Sequence, residues 1–276
     1  MQIKYFPVNS KNFYVVFENN DKIEELEPFM KENKLSRVIF SGFLGYSKSV
    51  LPFNNDIDVI EEITIQCSNI TDLTPLYHLS NIKKISIEEN AALAHPFDIR
   101  KIAQLTDFFT DDTLKIDGFF DHPTLKQLHI EPKKTKKLDI HNENNILESL
   151  SIANSHILDL SDCKKLTNLK GLYIAYLPKI EDINFILDMP TLTDIEICSC
   201  KKIDNLIATL AQKNNLEKLT LWNQGNLDSI IPLSKLEHLT TLNIWEQTKI
   251  IDGKISFLNQ MQNLKKIDIR KYIHYH

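Results

Sequence analysis

One spacing recurs along this chain and narrows what it can fold into. Apolar residues fill positions 1, 4 and 6 of a short unit: "IEEITI" from Ile60, "IKKISI" from Ile82, "LKQLHI" from Leu125, "LESLSI" from Leu147 and "LKGLYI" from Leu169. "LTDIEI" from Leu192, "LEKLTL" from Leu216, "LTTLNI" from Leu239 and "LKKIDI" from Leu264 complete nine units. Successive starts lie 22, 43, 22, 22, 23, 24, 23 and 25 residues apart, the 43 holding two periods with one irregular unit inside. Residues i and i+2 share a face of a strand, so positions 4 and 6 form a short strand with one buried face. After it come apolar residues three apart: Ile70, Leu73, Leu76 and Leu79 in one unit, and Ile157, Leu160, Cys163 and Leu166 in another. Spacing by threes suits a return limb of 3₁₀ turns, in which i and i+3 eclipse. No unit buries its apolar ridge alone; stacked units bury it together.

A fixed period in the twenties with this core marks a leucine-rich repeat. The expected fold is an α/β solenoid, with a parallel sheet on its concave face and 3₁₀ or irregular helical turns on its convex face. The stretch "ITDLTPLYHLSN" (Ile70 to Asn81) resembles the short, 22-residue repeat of internalin-type proteins, and the resemblance covers about residues 60 to 270. Internalins are exported and surface-attached, and this sequence shows neither a signal nor an anchor. The family's asparagine ladder, at position 9, is also degraded: Asn90 keeps it, while Ser68, Ser155, Leu177, Cys200, Gln224 and Gln247 replace it.

Residues 1–59 lack the clean unit and are expected to form an N-terminal cap or divergent repeats. There "NFYVVF" (12–17) reads as a strand and "DKIEELEPFMKEN" (21–33) as a helix with Asp21 as N-cap. "LSRVIF" (35–40) reads as a divergent first repeat strand. The array is expected over 60–270 and a tail over 271–276. Within it, 91–124 is irregular and rich in phenylalanine, with Phe97, Phe108, Phe109, Phe119 and Phe120 read as core fillers and "TLKID" (113–117) as the missing strand. "LDI" at 138 and "LDL" at 158 are expected as short convex strands.

The chemistry-bearing motifs are thin. There is no GxSxG, HExxH or kinase-like set, and Gly42 and Gly45 build no phosphate loop. Net charge is −5, which argues against nucleic acid. No apolar run reaches the roughly 18 residues of a membrane span, and the N-terminus lacks a signal-peptide h-region. Cys67, Cys163, Cys198 and Cys200 have neither zinc-ligand spacing nor a secretory context, so they read as reduced thiols of a cytoplasmic protein. Cys198 is expected on the concave side. The basic run "PKKTKK" (132–137) reads as a solvated turn, and His274 and His276 as a tail. No cofactor and no metal are expected.

The repeat phase singles out one surface, because positions 3, 5 and 7 face outward from the sheet. Position 5 carries His129, Tyr173, Glu196 and Asn243, and position 7 carries Trp222, Trp245 and Arg270. The chain's two tryptophans therefore share one column on adjacent repeats, and exposed tryptophan marks binding hot spots. The competing reading folds the C-terminal tail over them. The expected function is non-catalytic binding of a protein partner by a monomer, as a bacterial scaffold, effector or toxin-neutralising protein. The alternative is an enzyme or effector whose repeats recognise substrate for an N-terminal catalytic segment.

Overall fold

The structure is a computed structural model describing residues 1–5, 13–88, 93–111, 113, 115–141, 146–270, 272 and 274–276. The chain forms two compact units, Met1–Ile130 and Glu131–His276.

The first unit opens with an antiparallel hairpin of β1 (Gln2–Tyr5) and β2 (Phe13–Val16). Helix α1 (Ile23–Asn33) then crosses to β3 (Arg37–Ser41), which runs parallel to β2 with Val38 opposite Val15. Parallel neighbours need such a crossover. Leu26 and Met30, four apart on one helical face, are fully buried. The helix stops at Lys34, whose positive φ of 56° lets Lys34 N and Leu35 N reach back to Lys31 O and Met30 O. Asp21 is not the N-cap. Lys22 holds that place without a side-chain bond, while Asp21, one residue too early, accepts the Glu18 amide at 2.8 Å.

From β3 the ladder continues in parallel through β4 (Glu62–Gln66) and β5 (Lys84–Glu88). The two-residue strand β6 (Phe97–Asp98) lies off the ladder, and the next rung is β7 (Asp107–Thr110). "TLKID" therefore does not supply the missing strand. Leu114 lies outside the described residues, and Ile116–Asp117 forms β8, paired with β6. The true hidden unit is "LTDFFT": Leu105, Phe108 and the buried hydroxyl residue Thr110 occupy positions 1, 4 and 6. Phe97 and Phe108 fill the core, whereas Phe109 stands on the strand face and Phe119 and Phe120 are half-buried. The last rung is β9 (Gln127–Ile130).

The second unit is a parallel ladder of β10 (Ser149–Ala153), β11 (Gly171–Ala175) and β12 (Asp194–Cys198). After helix α2 (Leu206–Leu210) it continues with β13 (Lys218–Trp222). Strand β14 (Gly225–Leu227) precedes β15 (Thr241–Trp245), and β16 (Thr248–Ile250) pairs with β14 off the ladder. Strand β17 (Lys266–Ile269) ends the ladder. The expected convex strands at 138 and 158 reduce to one parallel bridge, Lys137 to Asp159.

Return limbs are 3₁₀ turns, such as Thr74–His78, Ser161–Lys165 and Asn184–Asp188. These three start where an aspartate two residues upstream accepts the first amide: Asp72 from Thr74, Asp159 from Ser161 and Asp182 from Asn184, at 2.7–2.8 Å. Such local bonds compete with regular structure and fix the turn. The expected ridge is buried at Ile63, Ile85 and Leu128 in the first unit, and at Leu150, Leu172, Ile195, Leu219 and Leu242 in the second. Ile267 departs from it at 44% exposed, because no described strand stacks beyond β17.

The inner polar ladder is partly as expected. Ser155 Oγ donates to Pro132 O at 2.7 Å, and Gln224 Nε2 donates to Ile197 O at 2.8 Å. Cys200 Sγ reaches Cys198 O at 3.2 Å, and Leu177 simply packs. Two positions shift by one residue. Ser68 and Gln247 are exposed, and their neighbours Cys67 and Thr248 turn inward, Cys67 to Tyr46 O and Thr248 to the Gln224 amide. Asn90 lies outside the described residues.

Candidate functional site

The strand face of the second unit is built by a repeated turn. The residue after each strand, at 154, 176, 199, 223 and 246, has φ between 49° and 54°. This is the left-handed region, which asparagine tolerates better than most residues. Asn occupies it at 154 and 223, whereas Tyr176, Ser199 and Glu246 adopt it at a steric cost. Four of these residues donate their amide to the carbonyl of position 7 one repeat on: Asn154 to Ala175, Tyr176 to Cys198, Ser199 to Trp222 and Asn223 to Trp245, at 2.9–3.3 Å. The backbones of both tryptophans are thereby pinned at the lip of the sheet.

Trp222 and Trp245 are register partners on β13 and β15. Their rings meet edge to face with centroids 6.1 Å apart and an interplanar angle of 81°, an arrangement the ring quadrupole favours. Trp222 is 36% exposed and Trp245 is half-buried. The bonds of the described end of the tail go elsewhere. Tyr275 Oη accepts the Ile250 amide at 2.6 Å, and the His276 carbonyl accepts Ile255 N at 2.7 Å. His276 N donates to Gly253 O at 2.8 Å, so Tyr275 and His276 pack along the end of β16 and the limb that follows it.

The position 5 row runs Tyr173, Glu196, Thr220 and Asn243 in register. Tyr173 lies back over Gly171, where any Cβ would stand 2.9 Å from its hydroxyl, so glycine there makes room for the ring. Its Oη is 3.4 Å from Asp194 Oδ2, and burial pushes its pKa up. Asp194 also meets Lys218 Nζ at 3.4 Å. Glu196 has neither an ion-pair nor a hydrogen-bond partner among the described residues, and burial, then the charge of Asp194, raises its carboxyl pKa. Asn243 is only 6% exposed; its Nδ2 donates to Thr220 Oγ1 at 3.0 Å, while its Oδ1 is buried with no partner. Arg270 is exposed, 5.8 Å from the Tyr272 ring.

His129 belongs to the first unit and stacks on Phe109, its register partner, at 4.2 Å and 8°. The structure therefore brings together Trp222 with Trp245, and Tyr173, Glu196 and Asn243 along one row. Cys198 does not join them as an accessible thiol: it is 5% exposed, between Ala175 and Trp222 in register. The four cysteines are unpaired and buried, and burial drives the Cys163 thiol far up and Cys200 to about 11. In "PKKTKK", Lys137 sits 3.4 Å from Asp159 and the lysine run is exposed. Residues 1–59 contain neither histidine nor cysteine. Among the described residues no His, Cys, Asp and Glu set is grouped to hold a metal ion, and no helix is long and apolar enough to cross a membrane.

Sequence reasoning missed the unsatisfied oxygen of Asn243, which depends on packing, and the room made by Gly171, which was legible as the one glycine in a position 3 column. It also missed His122. This residue is buried; its Nε2 faces Ile99 O and Ile102 O at 3.0 and 3.1 Å, and its Nδ1 accepts the Thr124 amide at 3.2 Å.

No protein-family model matches the chain, and no curated protein matches it. Among solved structures, it is similar to an internalin (inlF) from Listeria monocytogenes, with 19% identity and a TM-score of 0.55, over 91% of this chain and 71% of the other. A leucine-rich repeat protein of Leptospira interrogans aligns at 14% identity and a TM-score of 0.50, over 92% of this chain and 58% of the other. The functional domain of InlJ from Listeria monocytogenes aligns at 16% and 0.50, over 94% and 59%. The chain thus spans less than two thirds of the latter two. With the parallel ladders and 3₁₀ limbs above, these likenesses show that the chain has the leucine-rich repeat fold of internalin-like proteins.

Proposed function

We propose that this chain is a non-catalytic module that binds a protein partner through the strand face of its second unit. The observation that carries this reading is the edge-to-face pair Trp222, exposed, and Trp245, half-buried, two rings whose backbones are held at the lip of the sheet. Tryptophan, tyrosine and arginine dominate the energetics of interfaces, and Tyr173 and Arg270 stand on the same unit. The leucine-rich repeat neighbours agree with an interaction role in general, and their Listeria and Leptospira sources agree with a bacterial one.

In this reading residues 1–59 cap the array, 60–270 carry it and 271–276 form a tail. The protein acts as a cytoplasmic monomer, serving as a scaffold, effector or toxin-neutralising protein. The test is capture of partners from the source organism with the wild-type chain and with Trp222→Ala/Trp245→Ala. A partner retained equally by both removes the tryptophan site.

A further inference from the structure

The row beside the tryptophan column has a chemical bias. Thr220 forms its floor, nearly buried and in register between Glu196 and Asn243. On one side stands the carboxylate of Glu196, half-buried and unpaired among the described residues. On the other stands Asn243, more than nine-tenths buried, its Nδ2 donating to Thr220 Oγ1 and its carbonyl oxygen closed off from the surface. Two residues along from Thr220 and Asn243 on the same strands are the indoles of Trp222 and Trp245.

The groups that present surface here are a carboxylate and two π faces. The neighbouring positive charges are engaged or lie to the side: Lys218 with Asp194, and Arg270 beside Tyr272. An ammonium is a compact, strongly hydrated point charge with three donors and no planar face. A guanidinium is planar, offers five donors in a fixed fork, and stacks on aromatic rings, so it can grip both oxygens of one carboxylate while lying against an indole.

We propose that this row, at Glu196 and beside Trp222 and Trp245, receives an arginine side chain of the protein partner. The inference rests on the partner-binding reading above and names its anchor. Glu196 supplies the charge and a two-oxygen acceptor, and the tryptophans the face on which the guanidinium lies.

The chain has two tryptophans in all, so its indole fluorescence reports this site alone. The test titrates the purified full chain with N-acetyl-arginine amide, using N-acetyl-citrulline amide as the neutral isostere and N-acetyl-lysine amide as the point charge. A saturable spectral change is expected for the arginine compound, with citrulline weaker by about tenfold or more and lysine in between. Glu196→Gln keeps the shape and should weaken arginine by about tenfold, with an unchanged melting temperature. Equal responses to arginine and citrulline, no saturable response, or an unaffected Glu196→Gln would each overturn the proposal. If the arginine probe fails while Trp222→Ala/Trp245→Ala still releases the captured partner, only the arginine anchor is lost. If the double variant keeps the partner, the binding site itself is wrong.

Discussion

The indole of Trp222 meets that of Trp245 edge to face across one strand spacing, 6.1 Å between ring centroids, because the two residues are register partners. Neither ring belongs to the ridge, which is made by Leu219 and Leu242 on the opposite face of the same strands. Replacing both tryptophans with alanine should therefore leave the melting temperature nearly unchanged. It should weaken the partner by about 2 kcal/mol or more for each ring that is a hot spot. Thermal melts beside a binding titration check both halves, and a large loss of stability would mean the rings are structural.

Ridge position sets the cost of truncation. Leu172→Ala should destabilise by about 2–5 kcal/mol, since Leu172 is buried between Leu150 and Ile195 in the ladder. Ile267→Ala, at the equivalent place on the uncovered last strand, should cost under about 1.5 kcal/mol, because much of its surface already meets water. Urea titration of the two variants compares them directly. Equal losses would contradict the open last repeat.

The cysteines should react slowly as a set. All four are buried, and burial raises the Cys163 and Cys200 thiols, which lowers their thiolate fraction. Cys198, which the strand alternation put on the open side, should be slow as well, because at 5% exposed it offers little access. Titration with a thiol reagent should give one slow phase in the native protein and full reaction in denaturant. A single fast thiol would point to Cys198.

His122 should make the protein less stable in mild acid. Burial lowers its pKa below 6.5, and its Nε2 proton is used on the carbonyls of Ile99 and Ile102. As pH falls, the unfolded chain therefore takes up this proton first. The stability that His122 contributes is complete above about pH 6.5, declines below it, and levels off once the folded value is passed. Denaturant titrations between about pH 7 and about pH 5 should show this slope, and His122→Gln should flatten it.

What was legible in the sequence is what local chemistry fixes. The spacing of two within a strand and three along the limb follows from backbone geometry, so Leu150, Leu172, Ile195 and Leu219 could be placed in the ridge from the letters alone. The outward column of Trp222 and Trp245 followed from the same alternation. The irregular repeat was not legible, because Phe108 and Thr110 fill places that Leu and Ile fill elsewhere. Only packing shows that a ring and a buried hydroxyl serve there. Tertiary structure also decided that Cys67 and Thr248, not Ser68 and Gln247, turn inward. A one-residue slip at the turn after a strand changes nothing in the periodic pattern. It left Ile267 in the open and Asn243 Oδ1 without a donor for the same reason. Burial and hydrogen-bond satisfaction depend on which neighbour lies alongside in space, and a repeat read by itself does not contain that neighbour.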